Sequence, residues 1–508
     1  AGFVSFAQTV EASYHFVRPA MHEIEGYEQI HFEGCMQSAL AGQPSLPWQH
    51  VSLMLPQGQE AVSIEVILSD FAEIEGNHQL YPYQPARAYS MPERNGFVKD
   101  EALYQSRQSY PETNYGRLTT HYLNGIGFAF SAFTPVQYVP VSGKVMFART
   151  VKVIVKTTAS RTDNSRMLWV TPNNANRAKS LAQNPEMLDS YSCRNRTESV
   201  YDLLVITTEQ YVASFDAYKQ FYEERGLITK VVSLENIISR SEGRDNQEKI
   251  RNYIKNEYQS NGIIMVLLGG DVNLVPYRGF YCSVQSSTVH VDDNIPADLY
   301  YCALDGTWND NDDNKWGEIG EDDLLPEVGI GRMCFENAAE LQNMMHKTFT
   351  YQTTPVLGEF RKVTMGGEHL YDDPVSNGSQ YLELLIGERS DNGYTTIGIP
   401  EDYQFTRLYE EEGSWSGEAL KEAINQGTQY VHHDGHANTD YVAGWFISSI
   451  NDNNFSGANG IDHNYTFFHT SGCICGDFSS DCILERMTKI SNFAVATLGN
   501  SRYGWFNE

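Results

Sequence analysis

The feature that most constrains this chain is an alternation of short apolar runs with stretches of helical character in its second half. The runs have the length of buried strands, and helical stretches separate them. Strands joined through helices need crossover connections, which produce a parallel sheet covered by helices on both faces. The predicted strands are residues 203–207, 229–233 and 263–271, and the predicted helices are 215–224 and 246–258.

The alternation restarts after a helical stretch at residues 338–351 and indicates a second α/β unit. We therefore predict two catalytic subdomains with mainly parallel sheets, subdomain A over residues 199–353 and subdomain B over residues 354–508. The strand candidates of subdomain B are residues 362–365, 429–433, 466–469 and 493–498.

Residues 1–157 have a different pattern, with short, partly alternating apolar runs separated by turn residues. This pattern predicts a β-rich N-terminal domain, a sandwich or a barrel. Residues 158–198 lose apolar periodicity and are predicted to be a linker, where exposed basic bonds invite proteolytic cleavage. The arginines of this linker are Arg161, Arg166, Arg177, Arg194 and Arg196.

Charge and hydropathy exclude some classes of partner. The 508 residues include 36 Lys and Arg against 65 Asp and Glu, a formal net charge of −29. A field of that sign repels nucleic acid and anionic lipid. No apolar run reaches the ~18 residues of a membrane span. The chain begins without Met and without a basic, apolar leader, so we expect that a signal peptide is absent from it or already removed.

The eight cysteines are too few for a disulfide-stapled scaffold, and no pair of C-x-x-C motifs suggests structural zinc. A single disulfide between Cys282 and Cys302 remains open at this point. The cysteine pattern therefore directs attention to thiol chemistry.

Two predicted strands of subdomain B are each followed by a reactive side chain. His436 follows the strand candidate 429–433, and Cys473 follows the strand candidate 466–469. In parallel sheets, catalytic groups collect outside the carboxyl ends of the strands. If these strands are neighbours, the two side chains lie side by side although 37 residues separate them.

This pairing suits nucleophilic catalysis. A free thiol has a pKa of about 8.5, and a nearby imidazolium stabilises the thiolate and later gives a proton to the departing amine. A lone cysteine or histidine is usually structural, so the prediction depends on the pair. The neighbouring residues predicted to be structural are His432, His433, His469 and Cys475.

A loop rich in Asp and Asn at residues 305–318 suggests a second function. Oxygen side chains at alternate positions resemble the start of an EF-hand loop and predict a structural Ca²⁺ site, although Lys315 replaces the expected glycine. A solvated acidic turn is the alternative. The predicted ligands are Asp310, Asp312, Asn314 and Glu318.

The two strand-end motifs resemble those of the gingipain-like cysteine peptidases, which share the caspase–haemoglobinase fold. The matching segments are Gly435-His436 and residues 473–478 (CICGDF), and by this alignment Cys473 is the nucleophile and Cys475 is not. The resemblance extends to residues 268–271 (LGGD) and 326–332 (PEVGIGR). Residues 42–47 (GQPSLP) resemble the opening of the family's propeptide, so nearly the whole chain is covered.

The resemblance also implies roles for other residues. Backbone N–H groups of Cys473 and Ala437 are expected to form an oxyanion hole, although the family usually has Gly after the histidine. Glu368 matches the acidic residue that orients the histidine. Relatives that cleave after basic residues carry an acid about a dozen residues later, where this chain has none, so Asp372 and Asp373 are candidate substitutes for substrate binding.

The resemblance implies a secreted or cell-surface bacterial peptidase precursor that acts on polypeptide substrates. No cofactor is expected for the chemistry. The N-terminal domain is expected to be a prodomain that covers the site and is released by cleavage in the linker, and relatives continue beyond the position of Glu508. The blocking side chain is expected from a loop, with Arg94, Lys99 and Arg117 as unranked candidates.

Two other functions stay open. The sortase of the type IX secretion system resembles this family and transfers the acyl group to an amine instead of to water. A catalytically inactive adhesin or scaffold with the same fold is the third alternative. Reaction with an added amine, or an unreactive Cys473, separates these alternatives from an endopeptidase.

Overall fold

The second half of the chain is built around two parallel sheets, one in each predicted subdomain. The structure is a computed structural model. It describes residues 8–89, 96–161, 165–192, 200–286, 288–391 and 394–506. The predicted fold class is confirmed: a β-rich N-terminal domain precedes an α/β region with parallel sheets and helices.

The sheet of subdomain A has four parallel strands, in the order Thr229–Ser233, Leu203–Thr207, Met265–Gly269 and Gly329–Met333. Side chains of the strands alternate between two cores, because successive residues of a strand face opposite sides. Leu204 and Ile206 pack with helices Leu234–Arg240 and Asn246–Asn261. Leu203 and Val205 pack on the other face with helices Asp216–Glu223 and Ala338–Thr353.

The sheet of subdomain B has five parallel strands, in the order Gln404–Tyr409, Lys362–Gly367, Tyr430–Asp434, Thr466–Thr470 and Ala494–Leu498. Helices Gly417–Asn425 and Ile483–Lys489 cover one face, where they pack on Val431 and Phe468. Helix Gly378–Leu382 lies on the other face with Val363 and Met365. The two subdomains are joined where the Lys347 ammonium donates to the Thr488 carbonyl at 2.7 Å.

The N-terminal domain is a sandwich of two antiparallel sheets. One sheet contains Thr9–His15, Gln59–Ile74, Val136–Val139 and Lys144–Ala159, and the other contains Cys35–Ser38, Leu46–Met54, Thr119–Leu123 and Ile126–Phe133. Inward residues of both sheets, such as Val151 and Leu53, share one buried core. This core forms because alternate residues of each strand face the opposite sheet.

The predicted linker is more ordered than its polar composition suggests. Strand Lys144–Ala159 extends into it, and a helix spans Pro172–Leu181. Ala178 and Leu188 are buried against Met54 and Phe128 of the sandwich. The central part of the predicted linker, residues 158–198, is therefore ordered, because a few apolar residues anchor it to the N-terminal domain. Arg194 and Arg196 lie outside the described residues.

The remaining elements are short. The antiparallel pairs and ribbons are Ala20–Ile24 with Tyr27–His31, Arg278–Gln285 with Val289–Ala297, His369–Asp372 with Val375–Asn377, Glu388–Asp391 with Tyr394–Ile397, Arg87–Ala88 with Trp505–Phe506, and the three strands Ala437–Asn438, Tyr441–Val442 and Trp445–Phe446. The short helices are Glu101–Tyr104 and Leu299–Cys302, and the 3₁₀ turns are Pro140–Ser142, Pro185–Ser190, Glu209–Phe215, Glu383–Leu385 and Ile447–Ser449.

Two sequence-based questions are answered by the described residues. Cys282 and Cys302 are both free thiols, so the disulfide left open between them does not form. Among the described helices, none combines the length and the apolar character that crossing a membrane requires.

Candidate active site

The strands that precede His436 and Cys473 are direct neighbours, as predicted. We call Tyr430–Asp434 the histidine strand and Thr466–Thr470 the cysteine strand. The two strands run parallel, with His433 opposite Thr470, and the Ser471 N–H donates to the His433 carbonyl at 3.0 Å. Because both strands end at the same level of the sheet, the two motifs leave it side by side.

The loops after the two strands approach each other closely. A Cβ placed on Gly472 would lie 2.5 Å from the Ala437 Cβ and 3.3 Å from the Gly435 carbonyl oxygen. Any side chain at Gly472 would therefore push the two loops apart. The approach brings Ala437 beside the residue preceding Cys473, which is compatible with a shared oxyanion hole.

The thiol and the imidazole each face a backbone carbonyl in this structure. Cys473 is fully buried, and its Sγ donates to the Gly504 carbonyl at 3.8 Å. The His436 Nε2 donates to the His369 carbonyl at 3.1 Å. Neither contact joins the thiol to the imidazole, so the described state is one in which the pair is not yet engaged.

Glu368 lies at the site and positions the backbone of His436. Its carboxylate accepts from the His436 backbone N–H at 2.8 Å and from the His433 Nε2 at 3.2 Å. Burial raises the pKa of Glu368, but the hydrogen bonds from these two histidines outweigh burial and lower it. The contact is with the main chain of His436, whereas the sequence-based expectation was orientation of its ring.

His433 is a site residue that sequence reasoning treated as structural packing. It is fully buried between two polar partners, since its Nδ1 lies 2.8 Å from the Thr470 Oγ1 and its Nε2 binds Glu368. His433 thereby connects the cysteine strand to the carboxylate that holds His436. Its position directly before Asp434 and Gly435 on the histidine strand was the available signal.

Cys475 has the surroundings of a structural cysteine. Its thiol is fully buried in the apolar core and donates to the Gly472 carbonyl at 3.5 Å. Burial raises the pKa of Cys475 to about 12, so the thiol stays protonated at neutral pH. This environment agrees with the assignment of the nucleophile to Cys473.

A short segment of the N-terminal domain occupies the site. Ala88 pairs with Trp505 in an antiparallel ribbon, and the Tyr89 N–H donates to the Gly504 carbonyl at 3.0 Å. That carbonyl is the same one that the Cys473 thiol faces. Ala88 and Tyr89 belong to one buried apolar cluster with Cys473. The N-terminal domain therefore covers the thiol.

Two of the three candidate blocking residues have partners away from the thiol. Lys99 pairs with Glu101 of its own domain at 3.4 Å, and Arg117 donates to the Ile319 carbonyl at 3.3 Å. The structure places neither of them at Cys473, and Arg94 lies outside the described residues. The covering segment, residues 87–89, carries no periodic or compositional signal that could have singled it out.

The two candidate substrate-binding acids do not direct their carboxylates into the site. The Asp372 side chain is 99% exposed and pairs with His369 at 2.9 Å. Asp373 contributes its backbone carbonyl, which accepts from the Arg87 guanidinium at 3.0 Å. Asp434, at the end of the histidine strand, is a second buried acid beside Glu368 and is 2% exposed.

Three of the four predicted calcium ligands have protein partners. Asp310 accepts a hydrogen bond from Thr307, Asp312 pairs with Arg244 at 2.5 Å, and Glu318 accepts from Asn311 at 3.0 Å. These contacts satisfy the acidic side chains individually, and the calcium site of the loop stays a prediction.

Three other carboxyls do converge beside that loop. Asp305, Asp323 and Glu327 are buried, and each offers an oxygen within 4.8 Å of the other two. Burial raises the pKa of Asp305 to about 6, and burial with the charge of Asp305 raises that of Asp323 to about 7. The Asp305 Oδ2 is buried without a hydrogen-bond partner among the described residues. We call these three residues the carboxyl trio; their oxygens suit a hard cation such as Ca²⁺.

Comparisons with known proteins identify the family of the chain. Residues 196–508 match the family described as Peptidase family C25, and residues 12–170 match the family described as Propeptide_C25. The chain is 23% identical over 466 residues to Gingipain R2 of Porphyromonas gingivalis, covering 88% of this chain and 56% of that protein. The chain thus spans little more than half the length of this curated relative.

Two solved structures are similar to part of the chain. "Complex of Porphyromonas gingivalis RgpB pro- and mature domains" has a TM-score of 0.42 and 17% identity, covering 59% of this chain and 64% of that one. "Crystal structure of the Arg specific cysteine proteinase gingipain R (RGPB)" has a TM-score of 0.43 and 18% identity, covering 60% of this chain and 64% of that one.

Proposed function

Because this chain belongs to peptidase family C25, we propose that it is a cysteine endopeptidase kept latent by its own N-terminal domain. One observation carries the proposal: the pairing of the histidine strand with the cysteine strand brings His436 and Cys473 to the same edge of one sheet. A thiol and an imidazole at that edge can perform acyl transfer.

The proposed reaction has two steps. The Cys473 thiolate attacks the scissile carbonyl carbon, and the His436 imidazolium gives its proton to the departing amine, which leaves a thioester on Cys473. Water then loses a proton to His436 and attacks the thioester, which releases the carboxylic acid and restores the thiolate beside the imidazolium. The N–H groups of Cys473 and Ala437 hold the oxyanion in both steps.

Glu368 acts in this proposal as a positioning residue. Its carboxylate fixes the backbone of His436, and its hydrogen bonds favour the ionised form. The ring of His436 must leave the His369 carbonyl to reach the thiol. A fixed backbone with a rotatable ring permits this movement without rearranging the sheet.

Latency follows from the covering segment. The ribbon of Ala88 with Trp505, and the burial of Tyr89 on Cys473, leave no room for a substrate. Cleavage between the domains followed by dilution would release the segment, because a tethered contact becomes a bimolecular one. The resemblance to gingipains also supports a secreted or cell-surface location for the proposed peptidase.

We further propose that the structural Ca²⁺ expected from the acidic loop is held by the carboxyl trio. Three buried carboxyls repel one another when ionised, and a divalent cation relieves that repulsion. The unpartnered Asp305 Oδ2 supports this choice over the loop ligands Asp310 and Asp312. The ion would stabilise the fold and take no part in the reaction.

The experiment is digestion of a diverse peptide library by the trypsin-nicked protein, read by mass spectrometry. Carboxylic acid products that disappear in the Cys473→Ala protein support an endopeptidase. Products joined to an added amine would instead identify the protein as a transpeptidase. If neither reaction gives a product and Cys473 does not react with iodoacetamide, the endopeptidase and transpeptidase functions are both contradicted. The protein is then non-catalytic.

A further inference from the structure

The side chain that lies on Cys473 is Tyr89. It is 9% exposed and packs in one cluster with Leu370, Tyr371 and Cys473. Its backbone N–H and the Cys473 thiol both donate to the Gly504 carbonyl, at 3.0 and 3.8 Å. Tyr89 is therefore buried beside the thiol, and we call the space that its side chain occupies the tyrosine pocket.

The tyrosine pocket has an acid at its closed end. The Tyr89 hydroxyl donates to the carboxyl of Asp434, the last residue of the histidine strand. Asp434 is 2% exposed, and its Oδ1 is buried without a hydrogen-bond partner among the described residues. The Tyr89 hydroxyl thus pairs with part of the buried Asp434 carboxyl and leaves its Oδ1 without a partner among the described residues.

The walls of the pocket favour a neutral pair over an ion pair. Tyr371 and Tyr381 are close enough to Tyr89 to affect its ionisation, and Leu370 completes an apolar lining. Burial raises the pKa of Asp434 to about 7, which keeps much of this acid protonated near neutral pH. A phenol can hydrogen-bond to such an acid without burying a charge.

The covering segment also carries a cation, Arg87, and its guanidinium contacts groups other than Asp434 in the described structure. The Arg87 guanidinium lies 4.0 Å from the centre of the Tyr371 ring and donates to the Asp373 carbonyl at 3.0 Å. Arg87 and Tyr89 belong to the same short segment, yet the phenol is the group that contacts Asp434. The segment therefore indicates a phenolic preference for the pocket.

The covering segment also binds in the manner of a peptide. Residues Arg87–Ala88 add to Trp505–Phe506 as an antiparallel strand, and the Tyr371 hydroxyl donates to the Ala88 carbonyl at 3.1 Å. Main-chain pairing of this kind is sequence-independent, and pockets for individual side chains supply the specificity. A substrate strand that replaces the segment would place one side chain in the tyrosine pocket.

We propose that the tyrosine pocket is the specificity pocket of this peptidase and that Asp434 at its end selects substrates with a tyrosine side chain. This inference rests on the proposed function and adds its substrate class. A pocket built to pair with a hydroxyl discriminates against the analogue that lacks it, because its buried polar group is then left unpaired.

A binding test on the full chain does not depend on hydrolysis. In the Cys473→Ala protein, Tyr89→Ala vacates the pocket, and p-cresol and toluene serve as probes with and without the hydroxyl. We expect p-cresol to raise the melting temperature at concentrations at least tenfold below those toluene needs. Adding Asp434→Leu should remove this difference. Asp373→Asn is the matched control, since the Arg87 guanidinium donates to the backbone carbonyl of Asp373, which this substitution leaves in place, and it should keep the difference.

A cleavage test measures selection directly. The nicked protein is given peptides that differ only in Tyr, Phe or Lys at one position, with that position moved along the sequence. At one position we expect Tyr to be cleaved at least tenfold faster than Phe or Lys, and Asp434→Leu to bring the Tyr and Phe rates together. Asp434→Asn, which keeps the shape and one acceptor, should retain part of the preference and guards against a folding defect.

The two tests separate this inference from the proposed function. If p-cresol binds through Asp434 and no peptide is cleaved, the role of Asp434 in the pocket is supported and the proposed peptidase function is contradicted. If peptides are cleaved with Lys or Arg preferred, or with equal rates for Tyr and Phe, the peptidase stands and the selection of tyrosine is overturned. Equal effects of p-cresol and toluene in the vacated pocket overturn the inference as well.

Discussion

At the residue scale, two cysteines two positions apart have different surroundings. Cys473 is covered by residues of another domain, whereas Cys475 is enclosed by the apolar core of subdomain B. Removing the N-terminal domain therefore exposes the first thiol and leaves the second buried. This difference gives each cysteine a separate and measurable consequence on substitution.

We predict that Cys473→Ala lowers peptide hydrolysis by the nicked protein by about 10³-fold or more, since the nucleophile is lost. Cys475→Ala should keep most of the activity and cost about 1–2 kcal/mol of stability, because it leaves a small cavity in the core. Peptidase rates and urea unfolding of the two variants measure both effects. The opposite pattern would assign the nucleophile to Cys475.

Asp434 makes stability depend on pH. Burial raises its pKa from an ordinary 3.8 to about 7, so the folded state binds this proton more tightly than the unfolded state. Its contribution is complete below pH ~4 and is lost as the pH rises through about 7. We predict that Asp434→Asn loses less stability than the natural protein between pH 5 and pH 8, by at most about 3 kcal/mol.

The measurement is the difference in urea unfolding free energy between pH 5 and pH 8 for each protein. Other buried acids with raised pKa values, including Asp323 and Glu485, titrate in both proteins and cancel in the comparison. If the two proteins lose the same free energy, Asp434 is already ionised at pH 5.

At the element scale, the sequence predicted most of the α/β region. Strands and helices buried on a continuous face have strong periodicity, and the helix predicted at 246–258 is observed as Asn246–Asn261. The strand Gln404–Tyr409 was missed, because it lies at the edge of the sheet and most of its residues are at least partly exposed. Short edge strands lack the apolar run that reveals buried ones.

The active site was predictable only in part. His436 and Cys473 were identified because each follows a recognisable strand and a motif. Asp434 as the acid of the pocket was not, because its partner Tyr89 comes from a different domain, and local sequence carries no information on that contact. Asp372 and Asp373 stay predictions as substrate-binding residues.

The carboxyl trio is an element-scale feature with a test. We predict that chelation lowers the melting temperature of the protein, by loss of about 2–3 kcal/mol if the ion is present at 100-fold its dissociation constant. Asp323→Asn should abolish this response. A variant of the loop with Asp310→Asn and Asp312→Asn should keep it, as a control of equal charge type.

Thermal unfolding with and without EDTA distinguishes the outcomes. If EDTA still lowers the melting temperature of Asp323→Asn but not that of the loop variant, the ion is bound by the loop and not by the carboxyl trio. A response in neither the natural protein nor the variants would show that the trio is held by its protons and by the neighbouring Lys255 and Arg251 alone.

At the scale of the whole molecule, the N-terminal domain holds the catalytic region at two places besides the contact of Arg117 with the Ile319 carbonyl. One is the covering segment at Cys473. The other is Asn124, whose backbone N–H donates to the Glu327 carboxylate at 3.2 Å and whose side-chain amide donates to the Tyr258 hydroxyl at 2.9 Å. Both contacts must be lost before the domain leaves.

We predict that the intact chain is inactive and that trypsin cleavage between Arg161 and Arg196, followed by dilution, raises activity at least tenfold. Arg161 is one accessible bond, with a side chain 91% exposed, whereas Arg177 is held by the Pro326 carbonyl at 3.2 Å. Cleavage without dilution should raise activity less, because the severed domain stays bound at both contacts.

Peptidase rates before cleavage, after cleavage and after dilution measure latency, with Cys473 titrated by an alkylating agent at each stage. The intact Tyr89→Ala protein serves as a matched variant and should have activity before cleavage. Full activity of the intact natural chain would contradict latency and leave the N-terminal domain a role in folding or attachment.

The ribbon between Trp505 and Ala88 has a consequence for the protein after activation. When Arg87–Ala88 departs, the strand Trp505–Phe506 loses the pairing partner that the structure gives it, and its hydrogen-bonding groups face water. Unpaired β-edges recruit edges of other molecules. The loss of the covering segment thus activates the enzyme and also makes it prone to self-association. We expect the activated protein to aggregate as its concentration rises. Excess peptide substrate should preserve them by occupying the bare edge.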